Sequence, residues 1–422
     1  MKTTTDRDPR RVPLARVRER IPSPPGTDTG TFWLLLTVVV VLNIIGLVMV
    51  LSASSVVALN DTGSSWTYFT KQALWMFFGV IAMILMLYVD VSKWRRYARL
   101  ALLISLAGLI AVLVPGVGIT ANGATRWVGF GPIQIQPSEI AKLGVLLFVA
   151  DLLARRADRI TDVRYSVRPV VVVLGMVAFL IMMQPNLGTT IVVATIVFAV
   201  LVVAGAPGRS LAAYGTLGAG AAVVLALASA YRRARILSFL HPWADPQHKG
   251  YQLIQSQVGL ASGGMFGLGL GASRAKWGFL PFAYTDFIFS IIGEELGLVG
   301  ATLVIALFVA LAVLGIRTAM RASDQFGTLM ATGITTWLVV QAFVNIGAVI
   351  GILPITGVPL PFISFGGSSL LLTLAAAGLL LNVARHPAPV AAKAPAAARA
   401  RTADRRVRGR RLQGTASSTA RG

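Results

Sequence analysis

The chain contains no cysteine, so it has no disulfide, no thiolate nucleophile and no cysteine-ligated metal. Its three histidines, His241, His248 and His386, show no metal-ligand spacing. There is no GxxxxGK[ST] phosphate loop, HExxH, GxSxG or heptad array, which argues against nucleotide-driven transport and zinc proteolysis. No repeat period suggests a solenoid. Charge is also scarce, at 13% of residues against roughly 25% in ordinary globular proteins.

Apolar residues fill the gap, at 55% with a mean hydropathy of +0.74. The 422 residues would make two or three soluble domains at roughly 150 residues each, but this composition belongs to an all-α polytopic membrane protein. Apolar runs fall at about 31 to 53, 71 to 89, 97 to 114, 138 to 154, 168 to 184, 188 to 205, 211 to 231, 286 to 316, 326 to 352 and 367 to 384. That makes about ten transmembrane helices of roughly 20 residues, in a membrane domain spanning 31–384, with no room for a large soluble catalytic domain. The first run is far longer than a signal-peptide core of about 7 to 15 residues.

The net charge of +22 is concentrated at the ends, which argues against nucleic acid as a partner and for an anionic leaflet. Residues 1–30 and 385–422 carry seven and ten Lys or Arg and have the composition of disordered tails. Sorted by alternate connections, 29 cations fall on the side of the tails and nine on the other. Both termini are therefore expected in the cytoplasm. The long connections 115–137 and 232–285, both rich in Gly and Pro, are expected outside, the second as a large extracytoplasmic loop between helices 7 and 8.

Four segments could carry chemistry. In AYTDFIFSIIGEELGLVG (283–300), Asp286 opens an apolar helix. On a regular helix Ser290, Gly293, Gly297 and Gly300 fall within about 40° of it. This small-residue face should pack inward, giving the acid a protein or substrate partner, unless Asp286 simply caps the helix. Glu294 and Glu295 leave the stripe and suit partners on other helices. In GATRWVGFGPIQIQPSEIAKL (123–143), Ser138 is a plausible cap and Glu139 sits in the first turn. Glu139 and Lys142 can pair at i,i+3, or Arg126 and Lys142 can present cations to an outer phosphate.

QPNLGTT (184–190) is a polar break between two spans, where Gln184 and Asn186 either serve a site or satisfy backbone groups at membrane depth. LPITGVPLPFISFGGSSLL (353–371), which includes Ser368, is irregular and should line a cavity wall.

Together with GYQLIQSQVGLASGGMFGLGLG (250–271), these blocks resemble, in order from about Phe32 to Ala384, the hallmark motifs of the SEDS (shape, elongation, division and sporulation) family. SASSVVAL, DLLARR and PFISFGGSSLL are more similar to its FtsW-type division branch than to its RodA-type elongation branch. The resemblance implies a peptidoglycan glycosyltransferase that polymerises lipid II, the undecaprenyl-diphosphate-linked disaccharide peptide, at the outer face of the cytoplasmic membrane. It further implies work at the septum with a class B penicillin-binding protein (an FtsI-type transpeptidase) and other division proteins, surrounded by membrane lipids.

By motif match Asp286 stands at the family's essential aspartate. Where members commonly have PEAHTDF, this chain has PFAYTDF, so no role passes to a Glu or His just before it. Substrate-binding candidates are Arg126, Glu139, Lys142, Arg274, Lys276, Gln184, Asn186 and Ser368. In this chemistry a partly buried carboxylate takes the acceptor proton and Arg126, Lys142, Arg274 or Lys276 stabilises the departing diphosphate. A divalent cation, magnesium or manganese, could share that charge, although no outer carboxylate cluster demands one. Two rival readings are a lipid II flippase without chemistry and a scaffold acting through its basic tails.

Overall fold

The computed structural model describes residues 30–121, 124–130, 133–228, 230–248 and 250–387. The expected basic tails lie almost wholly outside these residues. The long helices are α1 (Gly30–Thr62), α2 (Thr67–Tyr88), α3 (Val91–Leu113), α4 (Pro137–Arg155), α5 (Val167–Met183), α6 (Leu187–Ala204), α7 (Gly208–Ala228), α10 (Ile288–Met320), α11 (Gln325–Val349) and α12 (Gly367–Arg385). Two shorter helices, α8 (Ala230–Leu240) and α9 (Tyr251–Ser262), lie between α7 and α10. Eight of the described helices are long and apolar enough to cross a membrane. The two remaining long helices are α5, at 17 residues, and α4, which carries Glu139, Lys142, Asp151 and Arg155.

Local signals explain the boundaries. Asp90, Asn186 and Asp324 cap α3, α6 and α11 by accepting from the amides of Ser92, Thr189 and Gly327 at 3.0, 3.2 and 3.0 Å, and Pro137 sits in the first turn of α4, where its missing N–H costs nothing. Burial sorts the helices into layers. The apolar window of α12 is 78% buried, against 17% for α2 and 11% for α7, so α12 is central and the other two turn most of their apolar surface outward. Asp151 ties α4 to α3 by accepting from Arg95 at 2.9 Å while pairing with Arg155 at 2.8 Å.

The long helix α10 is broken at Gly297, whose φ of 66° and ψ of −165° lie in a region essentially restricted to glycine. The loop after α9 fills the break. Leu268 N and Gly269 N donate to Glu294 O and Glu295 O at 3.0 Å each, while Leu298 N and Val299 N donate to Gly264 O and Met265 O at 2.9 and 3.2 Å. Four backbone groups beside the break are thus satisfied by the loop, which helps make the break tolerable at membrane depth. A Cβ at Gly297 would run into the backbone of Met265 and Gly267. Gly297→Ala is therefore expected to cost about 2 to 5 kcal/mol from left-handed strain plus overpacking, seen as a lower thermal midpoint of the detergent-purified protein.

Two expectations are corrected, and the 115–137 connection carries structure that the sequence reading did not specify: β1 (Gly118–Ala121), β2 (Ala124–Phe130) and β3 (Ile133–Ile135) form an antiparallel sheet in that order. The β-branched Ile119, Thr120, Thr125 and Val128 favour strands, and the surrounding Gly and Pro masked that signal. The stripe projected from Asp286 fails, because α10 begins at Ile288 and breaks at Gly297. The neighbour that closes on Gly293 is Leu260 of α9, so the inward face is real but packs on the loop region. Finally, α4 is capped by Gln136 without a side-chain bond, and Ser138 Oγ is buried with no partner.

Candidate active site

Five connections meet at one end of the bundle: the small sheet, the α5–α6 turn, α8, the segment before α10, and the irregular stretch between α11 and α12. Hydrogen bonds join several of them to one another or to adjoining helix ends. Arg126 on β2 donates from Nε to Gln184 O at 3.1 Å and from Nη2 to Pro185 O at 2.6 Å. Arg235 on α8 donates from Nη1 to Ile355 O at 3.4 Å, and Gln136 N donates to Ser368 Oγ at 3.2 Å.

Asp286 sits in the middle, two residues before α10 and partly buried. It lines a narrow recess with Asn345, Thr356, Gly357 and Val358. Phe287, not Asp286, is the N-cap, and no side-chain capping bond forms, so the cap reading of Asp286 falls away. Burial pushes its carboxyl up to about 6, against the opposing pull of Arg235 and then Arg126. A carboxyl raised to about 6 while Arg235 and Arg126 act on it electrostatically is suited to accepting a proton beside an anionic substrate.

Glu139 and Lys142 take the ion-pair alternative. Lys142 Nζ lies 2.7 Å from Glu139 Oε1 and donates to Gln341 Oε1 at 2.7 Å, 4.8 Å above the Trp337 ring. At 1% and 2% exposure the pair faces protein rather than the surface, so the expectation that Lys142 presents a cation outward is corrected: its ammonium finds all its partners inside. Trp337, Gln341 and Asn345 stand at four-residue intervals on α11, a polar column leading from this pair toward Asp286. Gln341 Nε2 donates to Pro359 O, and Asn345 Nδ2 to Asp286 O and Val358 O, at 2.9, 2.8 and 2.8 Å.

The other candidates have local partners. Arg274 is exposed, whereas Lys276 is buried, donating to Gly271 O and lying 3.7 Å from Glu295 Oε1. Glu294 accepts from Ser273 Oγ and Arg274 N at 2.5 and 2.8 Å, and Glu295 from Ser52 Oγ at 2.6 Å. The two adjacent glutamates therefore latch the loop onto α10 and α1, and the structure does not present Arg274 and Lys276 as a side-by-side pair. Gln184 Nε2 donates to Leu109 O at 3.1 Å and Asn186 caps α6, both meeting backbone needs. Among the described residues no three His, Asp or Glu side chains gather as a metal site.

Sequence reasoning missed Arg235, which stands among Arg232 and Arg233 as apparent topological charge. It also passed over Gln341 and Asn345, although polar residues four apart inside an apolar span are themselves a functional signal.

These features define a class: a polytopic membrane protein with a partly buried aspartate, under the electrostatic influence of two arginines, at one end of a helix bundle. The chain belongs to the FtsW/RodA/SpoVE family of cell cycle proteins, whose model matches residues 32–388. It is 42% identical over 353 residues to stage V sporulation protein E of Bacillus subtilis, covering 84% of this chain and 96% of that one. It is also 42% identical over 379 residues to the probable peptidoglycan glycosyltransferase FtsW of Mycobacterium tuberculosis, covering 90% and 72%. A solved structure described as structural coordination of polymerization and crosslinking by a peptidoglycan synthase complex matches with a TM-score of 0.70 at 31% identity, over 84% of this chain and 97% of that one. The rod shape determining protein RodA of Thermus thermophilus matches at 0.63 and 30%, over 84% and 96%.

Proposed function

We propose that this protein is an FtsW-type peptidoglycan glycosyltransferase that polymerises lipid II at the outer face of the cytoplasmic membrane during septal wall synthesis. The observation that carries the reading is Asp286, set in a recess with Asn345, Thr356, Gly357 and Val358 and raised to about 6 by burial against the pull of Arg235 and Arg126. In the proposed reaction Asp286 takes the proton of the acceptor sugar hydroxyl as its oxygen attacks the donor's anomeric carbon. The bond from that carbon to the lipid diphosphate breaks, and the diphosphate leaves with the electron pair. Arg126 and Arg235, the cations whose charge acts on Asp286, are assigned to receive that negative charge. A site at helix ends also suits substrates whose lipid tails stay in the bilayer.

The partner is a class B penicillin-binding protein, an inference supported by the similarity to a peptidoglycan synthase complex. The deciding experiment is the purified protein with that partner and labelled lipid II in detergent. Glycan polymer formed without any membrane gradient supports the enzyme, while a flippase or a scaffold yields none.

The reading includes ten spans, α4 and α5 among them, with both termini cytoplasmic and residues 232–285 outside. A reporter fused at position 250 that is active only outside the cytoplasm is expected to be on; cytoplasmic activity there would overturn the topology.

A further inference from the structure

We infer that Asn345 and Ser364 are positioning residues that hold the backbone of residues 284–286 and thereby aim Asp286, an inference that rests on the glycosyltransferase reading above. Residues 284–286 belong to no regular element, so no helix or strand ladder fixes their conformation. Three consecutive carbonyls are nevertheless occupied. Phe365 N donates to Tyr284 O at 3.0 Å, Ser364 Oγ to Thr285 O at 2.6 Å, and Asn345 Nδ2 to Asp286 O at 2.8 Å.

The groups doing the holding are themselves held. Ser364 Oγ accepts from Leu360 N at 2.8 Å, and Ser364 O accepts from Gln72 Nε2 at 3.2 Å. The Asn345 amide splits its donors between Asp286 O and Val358 O, each at 2.8 Å. Ser364 and Asn345 are 4% and 2% exposed, so water cannot readily replace them. Aromatic packing adds a lateral brace: the Tyr284 ring lies 4.8 Å from Tyr68 and 5.7 Å from Phe365. The irregular 353–366 segment thus works as a strap across the residues leading to Asp286, and the strap is fastened to α11 and α2. Neither side chain bonds the carboxylate itself, so both act through its placement. A displacement of about 1 Å at a reacting group can cost about 100-fold in rate.

The test uses the purified complex with its transpeptidase partner, with rates normalised to folded protein. Ser364→Ala is expected to lower kcat by about 10- to 100-fold with KM within about twofold of the parent, the signature of an interaction felt in the transition state. Ser364→Thr, which keeps the hydroxyl, is expected to restore most of the rate; equal loss in both variants would overturn the inference.

The absence of cysteine allows a second readout independent of catalysis. The thiol of Asp286→Cys is the only one in the chain, and adding Ser364→Ala is expected to speed its alkylation several-fold as the strap loosens. Unchanged alkylation together with an unchanged kcat for Ser364→Ala would overturn the positioning role. Full polymerisation by Asp286→Asn would instead overturn the catalytic reading, and the alkylation rate would still decide whether Ser364 holds this backbone.

Discussion

Asp286→Asn is expected to reduce lipid II polymerisation by about 10² to 10⁴-fold, the usual cost of losing a general base, with normal expression and partner binding. Arg126→Ala should weaken the reaction only in part, because Arg235 shares the anionic charge. If Asp286→Asn polymerises at near the parental rate while Arg126→Ala abolishes it, the mechanism is wrong. The parental kcat/KM should fall as pH drops below about 6, where Asp286 takes up its proton, and should level off above that value.

The same shift has a stability consequence of opposite sign. A folded pKa above the ordinary value of 3.8 means that folding favours the neutral acid. The associated stability is fully present below about 3.8 and is lost as pH rises through 6. Asp286→Asn should therefore be more thermostable than the parent at pH 7.5. The gain should be about 1 to 2 kcal/mol, discounted from the about 3 kcal/mol that a carboxyl moved from 3.8 to about 6 would give if fully buried, and should shrink as pH is lowered. A variant that is both inactive and more stable would separate a lost base from a lost fold.

Glu139→Gln is expected to destabilise the protein by about 3 to 5 kcal/mol, since it strands the Lys142 ammonium in a buried site with only Gln341 and the Trp337 ring for company. Lys142→Met should cost a similar amount by stranding the carboxylate. The double variant Glu139→Gln/Lys142→Met should recover much of the loss, because removing both partners leaves no uncompensated charge. Thermal midpoints of the four proteins in detergent check this; fully additive losses would show that the two side chains do not depend on each other.

Membrane residence, helix positions and family were legible in the sequence because each rests on local information. Apolar runs of spanning length mark helices wherever they occur, and every long helix found here overlaps an expected run. Asp286 was legible too, as an acid at the head of an apolar segment inside a family motif. Arg126 stood out as a cation in the same motif block, yet nothing local revealed that its guanidinium grips the turn at Gln184 and Pro185.

Tertiary structure alone decided the direction of each side chain. The i,i+3 spacing of Glu139 and Lys142 fits an outward phosphate site and a buried pair equally well, and only the packing of α11 against α4 brought Gln341 and Trp337 to the ammonium. The same holds for Gly297. A GxxxG step predicts close approach by some neighbour, but a break in the helix filled by the 264–269 loop depends on hydrogen bonds between segments some 30 residues apart. Arg235 acts on Asp286 electrostatically across about 50 residues of intervening chain, and Ser364 meets Thr285 across about 80. Such contacts arise when distant segments compete to satisfy the same buried backbone groups, a condition that no periodicity or local propensity records.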